Sequence, residues 1–337
     1  MQGLPSAGDR GVTRSCAVLA LLLLACSSEE SEETGLSFVA ATFNTGTSEG
    51  MGHDAPPDDG YGSAQAKLSD LHYGDGLAWQ SVIEDTRAWF AENAVDVVGF
   101  QEIFHPEDCA TIPAEAKTGF VCETWKPGDP TVAQSIVGEG WQVACHQGHA
   151  DKCLAVRKSF GSIRGCAADL CLDGLDGAEV TGCGKGSRVG RALIELASGD
   201  TVTVVNVHGS SGIAQDDQDC RVKQFGLVFS DLGDGEPAAN GARNVVLGDF
   251  NTDPARMADF DESAALLAEA GSGSLHFVTE VGSESTPTYA GMFGIDHVLS
   301  DAFDGSCWVA GVSEGHAQVS ETVYFDHKPH VCALASW

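Results

Sequence analysis

The sequence predicts an α/β protein built on mixed β-sheets, and three observations carry that expectation. Short apolar runs of strand type alternate with segments of helical periodicity. Two of the runs are close enough to form an antiparallel hairpin, so the sheets are not purely parallel. Run after run also ends in Asn, Glu, His or Asp, at the kind of position where α/β sheets place ligand chemistry.

The first run, Ser37-Phe38-Val39-Ala40-Ala41-Thr42-Phe43, leads into Asn44. A loop rich in Gly, Asp and Pro is expected from Thr45 to Asp70; its His53, Asp54, Asp58 and Asp59 fit no EF-hand spacing and read as solvated. From Leu77 to Asn93 apolar residues recur at helical spacing, with Trp79 and Trp89 expected in the core. Val95-Asp96-Val97-Val98-Gly99-Phe100 then runs into Gln101 and Glu102. Residues from about 105 to 187 hold many Gly, Asp and Cys and are expected to form a loop-rich, cross-linked insertion. Ala192–Leu196 and Thr201–Val207, separated by Ser198-Gly199-Asp200, make the hairpin, whose second strand leads into His208. Helices are expected over Asp217–Leu232, with Val222, Phe225, Leu227, Val228 and Phe229 on the apolar side, and over Asp259–Ala270. Between them, Val245-Val246-Leu247-Gly248-Asp249-Phe250-Asn251 ends a buried run in a glycine, a carboxylate and a carboxamide. The glycine permits a sharp turn or a close backbone approach. Near the C-terminus Gly294-Ile295 meets Asp296-His297, and Tyr324-Phe325 meets Asp326-His327, with Pro329 following.

The chain has 337 residues, no Pro/Ser-rich interior linker and no internal repeat. Its chemistry-bearing residues come from both ends, so one domain over 37–337 is expected. Arg10 and Arg14 precede an apolar stretch from Cys16 to Ala25, too short for a bilayer span, which makes residues 1–25 a signal peptide. Leu-Leu-Ala-Cys resembles a bacterial lipobox with Cys26 as the lipid carrier; a plain signal peptide cut near Ala25 is the alternative. Residues 26–36 then form a lipidated Ser/Glu-rich tether. Ser27, with no Asp beside Cys26, points to the outer membrane of the cell envelope, or the protein is secreted. Ten of the twelve cysteines remain in the mature chain, an even number that suggests up to five disulfides in an oxidising compartment. Their spacing is irregular and holds no CxxC pair, which argues against zinc. A net charge of −31 discourages nonspecific binding to polyanions. Arg157, Lys158, Arg164, Lys185, Arg188 and Arg191 either line a local groove or are scattered loop charges.

Taken in order, FNTG at 43–46, GFQE at 99–102, VNVHGSS at 205–211, GDFNTDP at 248–254, IDHVLSD at 295–301 and FDHKP at 325–329 resemble the endonuclease/exonuclease/phosphatase superfamily of deoxyribonuclease-like, metal-dependent phosphoesterases. Departures are Phe43, where the family often has Trp, and Phe325, where Ser is common. The resemblance implies a four-layer α/β/β/α sandwich of two mixed β-sheets flanked by helices, with the site at one end of the two sheets.

Asn44 and Glu102 offer hard oxygen ligands suited to Mg²⁺, with Mn²⁺ or Ca²⁺ as alternatives, and the resemblance adds Asp326 to the metal side. His327 is expected as general base or phosphate contact, His208 as a second imidazole, and Asp296 as the carboxylate that fixes His208. Asp249 is suited to position or deprotonate the attacking water, and Asn251 to donate to the phosphorane oxygens. His327, Asp249 and a metal hydroxide all qualify as the base. His297, His330 and His316 are expected to pack rather than react. The implied activity is divalent-metal-dependent phosphodiester hydrolysis by an exported enzyme, with a nuclease first. A sphingomyelinase or phospholipase C-like enzyme acting on a phospholipid head group, or a small-molecule phosphatase, is the alternative; for membrane contact Gly291-Met292-Phe293 is the one candidate. A non-enzymatic surface binding lipoprotein on the same fold predicts broken motifs, whereas every polar role here is filled. No protein partner is inferred.

Overall fold

Strand β1 (Ser37–Asn44) is parallel to β2 (Val97–Gln101) and antiparallel to β13 (His330–Ser336), so the two ends of the chain meet at the middle of one sheet. The computed structural model describes residues 35–47 and 63–337, and Gly35–Trp337 forms one compact unit. The expected signal peptide, Cys26, the tether and the loop residues His53, Asp54, Asp58 and Asp59 lie outside the described residues.

The remaining strands are β3 (Trp141–His146), β4 (His149–Arg157), β5 (Gly161–Ile163), β6 (Leu170–Gly177), β7 (Val189–Leu196), β8 (Thr201–His208), β9 (Asn244–Asp249), β10 (His276–Phe277), β11 (Asp296–Ser300) and β12 (Phe303–Val309). Their hydrogen-bonded order is β10-β11-β9-β8-β7-β6-β3-β4-β2-β1-β13-β12, with β5 beside β7. Strand β6 joins two halves: its start runs parallel to β3, and its end turns antiparallel to β7. Parallel and antiparallel pairs therefore mix, as the hairpin and the alternation with helices predict. The expected hairpin is β7–β8.

The helices are α1 (Ala64–Tyr73), α2 (Gln80–Glu92), α3 (Val132–Val137), α4 (Gln215–Phe229) and α5 (Glu262–Ala270). Strand periodicity divides the apolar side chains into three cores. Phe43, Val98 and Phe100 on one face of the first half meet Val82, Trp89 and Phe90 of α2. The opposite face, with Ala40, Val97 and Leu154, meets Val204, Val245, Leu247 and Val298 of the second half. Val205, Val207 and Val246 on the far side of that half meet Phe225 and Val228 of α4 and Leu267 of α5.

The two halves approach closely at Gly99, where a Cβ would lie 2.2 Å from Leu247 and 2.6 Å from the Asn206 amide oxygen. Beside it Gln101 donates to Asn206 (2.6 Å), and Asn206 donates to the carbonyls of Phe100 and Cys153 (3.2 Å each). This buried amide pair is satisfied, so it fixes the register between the halves without a desolvation penalty.

Four expectations need correction. Residues 64–70, expected as loop, belong to α1, which Ser63 caps at Ala66 N. Residues 105–187 are no loop-rich insertion: they supply α3 and strands β3 to β6, the centre of the sheet. Cys145 and Cys153 behave there as buried apolar residues, and the abundant glycines mask the strand periodicity. Asp296 does not end a strand but begins β11, and Tyr324-Phe325 belongs to no strand. Both pieces still reach the same edge, because β11 and β13 run antiparallel to β9 and β1.

The ten cysteines form five disulfides, Cys109–Cys122, Cys145–Cys153, Cys166–Cys171, Cys183–Cys220 and Cys307–Cys332, as suits an oxidising compartment. Among the described residues no helix is long and apolar enough to cross a membrane.

Candidate active site

The polar ends of β1, β2, β8 and β9 converge on one cleft of about 410 Å³. Asn44, Glu102, Asp249, Asn251, Asp326 and His327 line it, while His208 and Asp296 sit directly behind. All eight candidate residues from the sequence are therefore brought together.

Asp249 is the hub. The parallel pairing of β8 with β9 sets it beside His208, and the antiparallel pairing of β9 with β11 sets it beside Asp296. Gly248 before it adopts φ +151, and a Cβ there would strike the Val207 carbonyl at 2.0 Å; the glycine serves backbone packing, not an anion. Asp249 Oδ2 accepts from Asn44 Nδ2 (3.0 Å) and Asn251 Nδ2 (2.8 Å), and Oδ1 accepts from the Asn251 backbone N–H (2.7 Å). Asn251 needs a left-handed φ of +51 to make this clasp, a strain of the kind that collects at functional sites. Burial, and the nearby Asp296 and Glu102, push the Asp249 carboxyl up to about 7 against the opposing pull of His327.

Asp296 fixes His327 rather than His208, which corrects the sequence expectation. Its Oδ2 lies 2.9 Å from His327 Nδ1, because the loop before β13 crosses the start of β11. Burial alone would lower the His327 imidazole, but Asp296 and Asp249 outweigh it and hold its pKa well above the ordinary value. His327 is thus an imidazolium whose Nε2 faces Asp249 at 3.9 Å, with the Tyr289 ring 4.7 Å from its own. His208 has the opposite character. Burial drives it down to about 4 despite Glu102, whose Oε1 lies 3.2 Å from Nε2 but off the line of a hydrogen bond.

Glu102 also takes a left-handed φ, +55, and its side chain fills the space over Gly46, where a Cβ would meet Oε2 at 1.9 Å. Asn44 joins the two halves of the site: its amide donates to Asp249, and its carbonyl accepts from Gly46 N (2.9 Å). Asp326 is buried, and neither carboxylate oxygen has a hydrogen-bond partner. Burial, then Glu102 and Asp249, push it up to about 7 against His327.

Sequence reasoning missed Asp75. Gly74, at φ +58, ends α1 and swings Asp75 into the cleft, where its Oδ1 is buried without a partner. Burial and the carboxylates of Asp70, Glu102 and Asp326 push it up to about 8. Its only signal is its place between Gly74 and Gly76, which marks a turn and nothing chemical.

These orphaned oxygens are the test of fit for a divalent cation. Asp326 and Asp75 present hard oxygens without hydrogen-bond partners, and Glu102 adds a third carboxylate to the same cleft, as a magnesium-type site requires. Asp249, Asp296 and His327 also lie close enough to share an ion, their donor atoms falling within 4.8 Å of one another. Here Asp249 and Asp296 Oδ2 already accept from Asn44, Asn251 and His327 and only Asp296 Oδ1 is left without a partner, whereas Asp326 and Asp75 leave three such oxygens, so the Asp326 side fits better.

The expected packing histidines do pack. His297 lies between the rings of Phe250 and Phe277, and His316 stacks on Trp308 at 4.6 Å. His330 does more, placing Nδ1 2.9 Å from the Asp296 carbonyl and so steadying the start of β11. None of Arg157, Lys158, Arg164, Lys185, Arg188 and Arg191 lines the cleft: Arg164 pairs with Glu195, Arg191 with Asp234 and Asp176, Lys158 with Asp169, Arg157 lies over Trp141, and Arg188, its Nε buried without a partner, lies behind the cleft near His208.

The shifts give a pH dependence of stability for the metal-free protein. Asp75, Asp249, Asp326 and His327 are raised, so what they contribute below their unfolded pKa values is lost as pH climbs through 7 to 8 and beyond. His208 and His297, at about 4, and His146, at about 3, gain stability only as pH rises toward the ordinary histidine value. The two groups oppose one another in acid, and above neutrality their losses outnumber the one opposing gain, from buried Lys152, whose pKa burial lowers. The melting temperature without metal is expected to fall from roughly pH 6.5 to 8.5, and saturating Mg²⁺ to reduce the fall. A flat Tm across that range in EDTA would contradict these charge states.

No protein-family model and no curated protein matches the chain. Solved structures do. TDP2 from C. elegans superposes with a TM-score of 0.50 at 12% identity, over 89% of this chain and 75% of that one. An endonuclease/exonuclease/phosphatase from Beutenbergia cavernae reaches 0.49 at 16%, over 89% and 72%. The 3′ phosphatase NExo from Neisseria, bound to a product DNA hairpin, also reaches 0.49, at 13% identity and over 89% and 100%. At these identities the likeness establishes fold alone: the chain carries an α/β fold like that of TDP2.

Proposed function

We propose that the chain is an exported, divalent-metal-dependent phosphodiesterase, with Mg²⁺ as its metal. The observation that carries the reading is the juxtaposition of a clasped carboxylate near neutral pKa, an imidazolium and a set of orphaned carboxylate oxygens in one cleft. A bound cation would be held by Glu102, Asp326 and Asp75, and supplies charge neutralisation to the phosphate.

The rest follows from the chain's own groups. Asn44 and Asn251 hold Asp249 so that its carboxylate receives a proton from water as the water oxygen bonds to phosphorus. His327, protonated and fixed by Asp296, donates its Nε2–H to a non-bridging phosphate oxygen. Asp249 and His327 Nε2 are 3.9 Å apart, too close to stand on opposite sides of an in-line displacement. Both therefore serve the attacking face; the ester P–O bond breaks on the far side, and the departing alkoxide takes its proton from solvent.

Export, with lipid on Cys26, rests on the first residues of the sequence and is supported by the five disulfides. Nuclease activity, which the sequence ranks first, requires cationic contacts to neighbouring phosphates, and no described lysine or arginine lines the cleft. The test is hydrolysis of bis-p-nitrophenyl phosphate by the full chain with Mg²⁺, Mn²⁺, Ca²⁺ or EDTA. Turnover that requires a divalent ion is expected. Folded protein inert under every condition would favour a surface binding protein instead.

A further inference from the structure

One wall of the cleft takes no part in the chemistry above. It is built from Ile213, Met257, Phe260, Tyr289, Phe293 and Ile295, which line the same cleft as the carboxylates. Ile213 is 69% exposed and Phe260 62%, and Met292, in the turn between Tyr289 and Phe293, is 46% exposed. These residues come from three separate loops, after β8, after β9 and before β11. Apolar side chains exposed singly need no explanation, but three loops presenting them at one mouth mark a contact surface.

The charge of the cleft narrows what that contact can be. Among the described residues its lining contains no lysine or arginine, and residues 48–62 hold none by sequence. Arg188 lies behind the cleft near His208 and does not line it, and two other guanidiniums of the neighbouring loops are committed elsewhere. Arg256 binds Asp253, Ser285 and the Ser283 carbonyl, and buried Arg221 binds Asp261, Ser263 and the carbonyls of Ser210 and Gly212. A polynucleotide brings a further charge with every nucleotide and would meet no cation here. A diester with one phosphate and an apolar group meets both a cation site and an apolar wall.

Resting on the phosphodiesterase reading, we propose that Ile213, Phe260 and Phe293 set specificity by receiving the apolar substituent of a phosphodiester that carries a single phosphate. The substrate class is an amphiphilic diester, not a polyanion. The wall acts through burial of the substituent, so each added methylene strengthens the complex until the wall is covered.

The experiment compares p-nitrophenyl methyl, butyl and octyl phosphates with oligothymidylates of increasing length, using the full chain and Mn²⁺. For the wild type kcat/KM is expected to rise about fourfold per methylene, the factor that burying one CH₂ supplies. In Phe260→Ser combined with Ile213→Ser the slope is expected to collapse, while oligonucleotide turnover per scissile bond does not grow with length. If all the alkyl diesters turn over at one rate, the phosphodiesterase stands and the proposal falls. A slope that survives in the double variant, or turnover that climbs with oligonucleotide length, overturns it too. A double variant with a much lower melting temperature but an unchanged slope would show the wall covered by the chain itself, again against the proposal. If no diester is turned over, both readings fail together.

Discussion

Replacing His327 by alanine is expected to lower kcat on bis-p-nitrophenyl phosphate by roughly 100- to 1,000-fold, the usual cost of removing one preorganised donor to a developing oxyanion. The imidazolium here owes its proton to Asp296, at 2.9 Å, and to Asp249. Removing it also leaves two buried carboxylates facing each other without a cation between them. A lower melting temperature should therefore accompany the loss, and shrink at pH 5, where the raised Asp249 carboxyl is protonated. Activity and stability measured across pH separate the two effects. Restored stability without restored kcat identifies His327 as a catalytic group, whereas wild-type kcat in the variant would remove it from the mechanism.

The second large effect has opposite signs for stability and function. Asp326 is 4% exposed, neither carboxylate oxygen has a hydrogen-bond partner, and Glu102 and Asp249 press on it harder than His327 relieves it, so in metal-free protein above pH 7 it is a poorly compensated buried charge. Asp326→Asn is expected to raise the melting temperature in EDTA at pH 8, by relieving repulsion with Glu102 and Asp249. The same change should weaken Mg²⁺ binding by about 10- to 100-fold, the range seen when groups that shape a metal site are lost. Calorimetric titration and thermal melts with and without Mg²⁺ read both quantities. If the variant is less stable in EDTA and binds Mg²⁺ like the wild type, the metal belongs among Asp249, Asp296 and His327 instead. Natural sites hold such uncompensated charge because function requires it.

Much of this site was legible in the chain. Asn44, Glu102, His208 and Asp249 each end a strand whose apolar pattern is plain, and parallel neighbours in a sheet bring such ends to one edge. Asp296 and His327 were legible as candidates for another reason, their place in motifs. Their partnership was not: the sequence reading gave Asp296 to His208, although β11 carries it to the loop that bears His327. The strands of residues 105–187 were hidden because their glycines and half-cystines break the alternation on which strand recognition depends. Asp75 was hidden altogether, since a lone acid between two glycines looks like any turn until Gly74 aims it at Glu102 and Asp326.

By itself, then, the sequence determined the α/β class, the hairpin and long helices, an even set of cysteines and the identity of the eight polar residues at the site. These are local properties, written in periodicity and in what stands at the end of each run. Only the tertiary structure decided which imidazole is charged, which carboxylate orients which histidine, which oxygens are left for a cation, and that an apolar wall lines the same cleft. Those depend on burial and on distances between residues far apart in the chain. Both His208 and His327 are buried histidines, yet one is driven down to about 4 and the other held well above its ordinary pKa by the carboxylates that strand register sets beside it.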